Sequence, residues 1–319
     1  MALKHYIKLM RPHQWYKNFL VYLAIIFANV RDPLPAILNL MNYIPLTLGF
    51  AAFCLVSSAG YIFNDVKDIE EDAAHPEKKN RPLPSGSVAR SSAVLFGAAL
   101  MAGGLALSFL LDGIFFILVI FYIINSQAYN YFLRNYAVVD VVTIGIGFII
   151  RAVSGTFLVH VPFTSWLILG VFFIALILGF GKRKNELMLL GDDAGQHKKV
   201  FTQYNMTFLD QAVNMSATWL VFFYTLYVYQ NFGSYFDTQP VLLTVPIVAG
   251  LTLRYVFLIY IGHAVARKPH LAIKDRGMVA GIILFGLVLA ITVLRIGDQT
   301  IWTIIFNFFH VLIPDYPII

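Results

Sequence analysis

The chain has a single cysteine among 319 residues, which excludes an internal disulfide and any cysteine-rich metal site. That residue, Cys54, lies in an apolar stretch and is expected to be a small core side chain. Eight histidines are spread without the spacing of a metal or haem motif, so each reads as interfacial or packed rather than as a ligand. Charge is scarce as well, at 13% of residues against 59% hydrophobic, with a mean hydropathy of +0.74. That balance excludes a soluble domain, because apolar runs near the length of a membrane span recur throughout. No repeat of fixed period and no low-complexity segment is visible. No small-residue cleavage site follows the first apolar run, which therefore reads as a retained span behind a basic arm (Lys4, Lys8, Arg11, Lys17) rather than as a signal peptide.

Nine apolar segments are present, at 19–30, 43–63, 91–111, 114–133, 138–159, 163–181, 212–231, 242–264 and 277–295. They predict an all-α, polytopic membrane protein: a bundle of nine transmembrane helices with its N-terminus in the cytoplasm. One transmembrane domain is expected over 1–295, followed by an apolar interfacial segment over 296–319. The connections alternate between long, charged stretches (64–90, 182–211, 265–276) and short, nearly uncharged ones. Of the 23 Lys and Arg, 19 fall in the N-terminal arm, in the long connections or at Arg134. That side is cytoplasmic by the positive-inside rule. The net charge of +6 then describes a basic face over anionic lipid, not a nucleic-acid binder.

Acidic residues number 17, and six of them (Asp65, Asp68, Glu70, Glu71, Asp72, Glu77) are packed into one stretch. At roughly 100° per residue, Asp65, Asp68 and Asp72 fall within about 60° of one another on a helix, while Glu70 and Glu71 point elsewhere. Such a row repels itself unless a cation lies over it. Its hard oxygens suit Mg²⁺, which commonly bridges one or two carboxylates to a substrate's phosphates. The expected ligand is a magnesium-bound diphosphate, and the competing reading is a solvated loop between two spans.

Further polar residues interrupt the apolar segments. Asp140, Thr143, Gly147, Arg151 and Ser154 form one stripe on the fifth segment, which must face the interior of the bundle. Arg151 is a functional candidate because an ionisable residue inside a span is costly; it could equally be a structural partner for Asp140 or for carbonyls. Tyr122, Ser126 and Tyr129 share a face of the fourth segment and lead into Arg134. A loop opened by Gly181 begins with Lys182, Arg183 and Lys184, followed by Asn185 and Glu186, a composition suited to bare phosphate. Lys17 is either a snorkelling anchor or an inward-facing cation. Arg254-Tyr255 and Asp275-Arg276 are candidates for a polar cavity or its closing loop.

The pattern Asn64-Asp65-x-x-Asp68-x-x-x-Asp72 at the end of the second segment resembles the first aspartate-rich motif of the UbiA superfamily of intramembrane prenyltransferases. Other elements resemble its decaprenyl-phosphate phosphoribosyltransferase branch. They are Arg11-Pro12-x-Gln14-Trp15-x-Lys17-Asn18, Arg81-Pro82-x-x-x-Gly86, Ala128-Tyr129 with Arg134 and Asp140-Val141, Arg151-Ala152-Val153-x-Gly155, Lys182-Arg183-x-x-Glu186-Leu187, Arg254-Tyr255 and Asp275-Arg276. The likeness spans about residues 8 to 290. In the superfamily, two aspartate-rich motifs hold an isoprenyl diphosphate through Mg²⁺. Here Lys182 to Glu186 stands in place of the second, and Asp192-Asp193 lies farther on without the expected spacing.

The resemblance therefore implies phosphoribosyl pyrophosphate as donor, a polyprenyl phosphate as acceptor, and release of pyrophosphate. It implies Asp65, Asp68 and Asp72 as catalytic metal ligands for Mg²⁺. Substrate-binding roles are implied for Lys17, Asn18, Asn64, Arg81, Tyr129, Arg134, Arg151, Lys182, Arg183, Glu186 and Arg254. Arg134 stands where the branch leads one to expect lysine, and Gly277 where it leads one to expect proline. The setting implied is a bacterial cytoplasmic membrane with the site on the cytoplasmic side, in contact with lipid and not nucleic acid; the oligomeric state, homo-oligomer included, stays open. Two other readings remain at this point: a UbiA-type transfer of an isoprenyl group to an aromatic or other small acceptor, and a transporter of an anionic lipid or solute. A transporter more often shows broken helices or paired repeats.

Overall fold

The computed structural model describes residues 2–27, 34–74, 78–162, 164–191, 195, 198–232 and 240–293. Within them every regular element is helical, as expected where backbone groups must be satisfied inside an apolar medium. The chain opens with α1 (Ala2–Met10), whose Tyr6 and Leu9 pack on the first long helices while Lys4 and Lys8 stay exposed. Arg11 breaks it with a left-handed backbone (φ 52°, ψ 59°), and a 3₁₀ segment, Pro12–Tyr22, follows. A 3₁₀ helix stacks residues at i and i+3. Trp15, Asn18 and Val21 accordingly line one edge, of which Asn18 and Val21 are buried. Short helices α2 (Leu23–Phe27) and α3 (Leu34–Leu38) lead into α4 (Tyr43–Lys67) and α5 (Ile69–Ala74). The remaining helices are α6 (Arg90–Leu111), α7 (Gly113–Tyr131), α8 (Val139–Leu158), α9 (Ser165–Leu190), α10 (Met206–Phe232), α11 (Thr244–Tyr260) and α12 (Arg276–Val293).

Among the described residues, six helices are long and apolar enough to cross a membrane: Leu40–Lys67, Arg90–Leu111, Gly113–Tyr131, Val139–Leu158, Ser165–Leu190 and Val241–Tyr260. They cover six of the nine predicted segments, and α10 and α12 coincide with two more. The first segment is represented by the end of the 3₁₀ turn and α2, its remainder lying outside the described residues, as does the predicted interfacial segment 296–319. α4 and α8 are central, with 56% and 61% of their apolar windows buried, against 17% for α6 and α7, which present Leu95, Phe109, Leu110 and Phe121 outward. Asp112 makes the α6–α7 hairpin tight, since its carboxylate caps α7 by accepting from Phe115 N at 2.7 Å.

Two apolar cores flank α8. Val21, Ala24, Phe53, Phe115, Tyr122 and Leu158 form one, with Phe53 edge-on to Phe115 and Tyr122 at 5.6 and 5.4 Å. Val141, Phe180, Phe201, Leu209, Leu258 and Ile259 belong to the other. Close approach between the 3₁₀ segment and α8 depends on Gly155, where a Cβ would lie 2.0 Å from the Val21 carbonyl oxygen.

Two boundaries differ from those expected. The second helix does not carry the whole acidic row: it ends at Lys67, Asp68 takes a non-helical conformation (φ −94°, ψ 14°), and α5 restarts at Ile69. The sixth helix does not stop at Gly181 but runs to Leu190, so Lys182 to Glu186 sit on its last turns rather than in a loop. The charges are absorbed because Arg183, Lys184 and Asn185 are buried against other side chains, leaving Lys182 exposed.

Candidate functional site

Asp65 and Asp72 are buried, at 4% and 1% exposure, Asp68 is half-buried, and Glu70 and Glu71 are exposed. Two of the three aspartates expected on one face, Asp65 and Asp72, are brought together across the break at Asp68. Arg81 is what draws the outer two together: its Nη1 donates to Asp72 Oδ2 at 2.5 Å and to Asp65 Oδ1 at 3.2 Å. Asp65 Oδ1 also accepts from Arg11 Nη2. The sequence 81–88 can present Arg81 rigidly because backbone bonds from Ser85, Gly86 and Val88 fold it into a turn, with Leu83 and Val88 buried beside Leu9 and Ile62. Arg11 is placed by the end of α1 and lies 5.2 Å over the Tyr61 ring. Its left-handed backbone, in a residue with a side chain, costs on the order of 1–2 kcal/mol and is sustained by those contacts.

This donor set fits a hard divalent cation. Two buried carboxylates turn oxygens toward one common cationic nitrogen, and among the described residues no group of three or more His, Cys, Asp or Glu completes a cage. Mg²⁺ is characteristically held by one or two carboxylates, with water and substrate phosphate supplying the rest.

A second cluster lies deeper, on the predicted polar stripe of α8, which is buried at Asp140, Thr143, Gly147, Arg151 and Ser154. Arg151 does not pair with Asp140. Its Nε donates to Asn18 Oδ1 (2.8 Å), Nη1 to Gly147 O (3.1 Å) and Nη2 to Tyr122 OH (2.6 Å). All three acceptors are neutral, so this guanidinium, 6% exposed, has no carboxylate partner among the described residues. Asn18 is fixed in turn by donating to Cys54 Sγ at 3.2 Å, so the lone cysteine is a buried acceptor. Lys17 stands close by on the 3₁₀ segment and makes no ion pair among the described residues. Burial first, and then the charges of Arg151, Lys182 and Arg11, bring its pKa down to about 8. His13 on the same arm is likewise lowered, by burial and by Arg11, Lys17 and His270. The rim beside Lys17 is therefore a region of positive potential.

The third cluster joins the ends of α7, α8 and α9. Arg183 Nε donates to Asp140 Oδ2 at 2.7 Å, Nη1 to Glu186 Oε2 at 3.1 Å and Nη2 to Tyr129 OH at 3.3 Å. Asp140 Oδ1 accepts from Tyr204 OH at 2.6 Å, while that same hydroxyl accepts from Val138 N at 2.7 Å. Burial and the Asp140 carboxylate push the Tyr204 phenol upward. Val138, a β-branched residue at φ 68°, is held in a strained turn by this arrangement.

Not every expected residue joins these groups. Arg134 is exposed on a 3₁₀ turn without an ion pair among the described residues. Arg254 donates to both oxygens of Asp275 (3.1 and 2.8 Å) and is linked to no other candidate among the described residues. Asp275 also caps α12 through Met278 N at 2.9 Å, and Arg254 and this cap hold its carboxyl down at about 2. Asn64 lies half-buried one residue before Asp65, and Lys182 is exposed 3.9 Å from Glu186. Asp192 and Asp193 lie outside the described residues. Two partners were not singled out from sequence. Arg11 stood in the basic arm and in the Arg11-Pro12 motif but was given no role at the site, and Tyr204 carries no local signal, since only the fold brings it across to Asp140.

Comparison with known proteins agrees with this arrangement. Residues 19–272 match the model of the UbiA prenyltransferase family. The decaprenyl-phosphate phosphoribosyltransferase of Mycobacterium tuberculosis is 30% identical over 281 residues, covering 85% of this chain and 88% of that protein. Its counterpart in Mycolicibacterium smegmatis is 32% identical over 231 residues, 70% of each chain. Among solved structures, a UbiA homolog from Archaeoglobus fulgidus bound to GPP and Mg²⁺ superposes with a TM-score of 0.64 at 19% identity, covering 88% of this chain and 99% of that one. The buried stripe, the apolar exterior and the acidic cluster are thus features of a multi-pass membrane enzyme, and the chain belongs to the UbiA prenyltransferase family.

Proposed function

We propose that this enzyme transfers 5-phosphoribose from phosphoribosyl pyrophosphate to a polyprenyl phosphate of decaprenyl type, releasing pyrophosphate, on the cytoplasmic side of a bacterial inner membrane. One observation carries the reading: among the described residues the site has a single acidic cluster, and the last turns of α9, where the resemblance leads one to expect a second, bear cations instead, Arg183 buried and Lys182 open. A donor whose far end is a phosphate, meeting an acceptor that is itself a phosphate, calls for that charge distribution. The phosphoribosyltransferase relatives support it.

Asp65 and Asp72, with Asn64 and Asp68 beside them, would hold Mg²⁺, whose chemistry when bound is to neutralise charge on the leaving pyrophosphate. As the C1–O bond lengthens, ribose C1 gains oxocarbenium character. The lipid phosphate is already an anion at neutral pH, so attack needs positioning and charge compensation rather than a strong base. Lys17 and Arg151 suit the lipid phosphate, since they lie toward the apolar interior and have no anionic partner among the described residues. Lys182, Arg183 and Tyr129 suit the 5-phosphate, and Glu186 orients Arg183. Asn18 orients Arg151. Arg134 and Arg254 are left without a role in the step.

The test is incorporation of ribose-labelled phosphoribosyl pyrophosphate into solvent-extractable lipid by purified protein with polyprenyl phosphate and Mg²⁺. Label in lipid that disappears with Asp65→Ala, or with chelator, supports the assignment. Prenyl transfer from an isoprenyl diphosphate without ribose transfer would return the enzyme to the ordinary prenyltransferases, a reading that the GPP-bound structural neighbour keeps in play.

A further inference from the structure

The acidic cluster is engaged by two guanidinium groups, and both bind oxygens that a metal would need. Asp65 Oδ1 accepts from Arg11 and Arg81 together, and Asp72 Oδ2 accepts from the same Arg81 nitrogen. A divalent cation on these oxygens would stand within a few ångströms of two positive groups at a half-buried location, where like charges interact more strongly than in water. Metal and guanidinium therefore exclude one another. Asp65 and Asp72 are nearly inaccessible, whereas the Arg11 and Arg81 side chains retain 24% and 32% of their exposure, so it is the arginines that have room to move. Both are anchored by elements outside the carboxylate cluster, Arg11 by α1 and Arg81 by the 81–88 turn, which allows each side chain to swing without unfolding its support.

We infer that Arg11 and Arg81 are displaceable counter-ions: they hold the carboxylates together before metal binds, oppose entry of a bare divalent cation, and transfer to diphosphate oxygens when the cation arrives already complexed. Guanidinium pairs with phosphate through the same two-pronged geometry that it uses with carboxylate. Diphosphate thus supplies the arginines with the partner that the metal takes from them. The consequence is selectivity for a metal–diphosphate complex over free metal. The inference rests on Asp65 and Asp72 being the metal ligands but not on which group is transferred, because pyrophosphate is common to both donor classes.

The experiment has two binding arms on the full-length protein in lipid nanodiscs, without acceptor. In the first, Mn²⁺ alone is titrated and followed by electron paramagnetic resonance. In the second, retention of ³²P-pyrophosphate is measured in saturating Mg²⁺. Arg11→Gln and Arg81→Gln are expected to bind Mn²⁺ about tenfold more tightly than the wild type and pyrophosphate about tenfold more weakly. Asp65→Asn should lose Mn²⁺. Opposite signs in the two arms are the signature, since a variant that is merely misfolded loses both ligands. Loss of both affinities together, no change in either, a gain of Mn²⁺ affinity without loss of pyrophosphate, or Mn²⁺ binding that survives Asp65→Asn would each overturn the inference. Arg11→Lys, which keeps the charge but not the fork, should leave Mn²⁺ affinity near wild type while weakening pyrophosphate.

Discussion

Lys17 is a cation set among cations, and this makes its charge sensitive to pH just above neutrality. Its pKa near 8 in the free protein reflects burial and the charges of Arg151, Lys182 and Arg11. A bound phosphate would favour the ammonium form and raise that value. Below about 8, Lys17 is already charged and binding needs no proton; above it, binding must take one up. Affinity for polyprenyl phosphate should therefore fall with rising pH above about 8, by up to about tenfold per unit until the raised pKa of the complex is passed. Lys17→Arg should flatten this profile of KM against pH. A KM independent of pH from 7 to 9.5 in the wild type would exclude Lys17 from the phosphate.

Arg183 and Asp140 pose the opposite case, a buried pair in which each charge exists for the other, at 5% and 0% exposure. Arg183→Met leaves Asp140 desolvated with only Tyr204 beside it. A loss of about 3–5 kcal/mol is expected in reversible unfolding of the detergent-solubilised protein. Adding Asp140→Asn to that variant should recover most of the loss, and a double-mutant cycle measures the coupling. If the single substitution costs less than the double, the pair is not the structural joint that the distances imply.

Among the elements, the 3₁₀ segment and α8 form the tightest joint near the site, since the Val21 carbonyl lies where any side chain at Gly155 would have to go. Gly155→Ala should cost about 1–3 kcal/mol through overpacking, visible as a lower melting temperature. It should also reduce turnover, because Asn18 and Arg151 are carried on the two separated elements. An alanine variant with wild-type stability and turnover would show that the segment rides freely over α8.

Helices were also where sequence reading succeeded and failed for visible reasons. α4, α6, α7 and α8 were legible because an apolar run ended by charge has one interpretation in a membrane, and the acidic row stood out because so few acids occur elsewhere. The stripe on α8 was legible from its spacing alone. α9 was cut short because charge ordinarily marks a span's end. Arg183 and Lys184 defeat that rule by finding Asp140 and Asp210 inside the fold, the latter at 2.6 Å. Arg254 and Asp275 were both singled out, but no local signal showed that they pair, the charge in a span meeting the cap of the next helix. No local pattern could have announced Tyr204, which meets Asp140 across 64 residues.

For the molecule as a whole, the distribution of basic residues predicts an orientation that a single experiment can check, helped by there being one cysteine to remove. In a Cys54→Ser background, Ser87→Cys lies on an exposed turn at the charged end, and Gly113→Cys lies on the tight hairpin at the other. A membrane-impermeant maleimide should label the first only in inverted vesicles and the second only in right-side-out cells. The reverse pattern would place the acidic cluster outside and remove soluble phosphoribosyl pyrophosphate from consideration.

The two buried charges of α8 differ in where along the chain their partners lie, and this bears on how the protein is made. Arg151 is received by Asn18 and Tyr122, both of which precede it, and by Gly147 of its own helix. Asp140 depends on Arg183 and Tyr204, both of which come later. In the order of synthesis, the acceptors of Arg151 come before it, whereas the partners of Asp140 follow it by 43 and 64 residues. A nascent chain arrested just after α8 would thus hold its deepest charge satisfied and its shallowest one still hydrated. Only Arg183 on α9 closes that second pair.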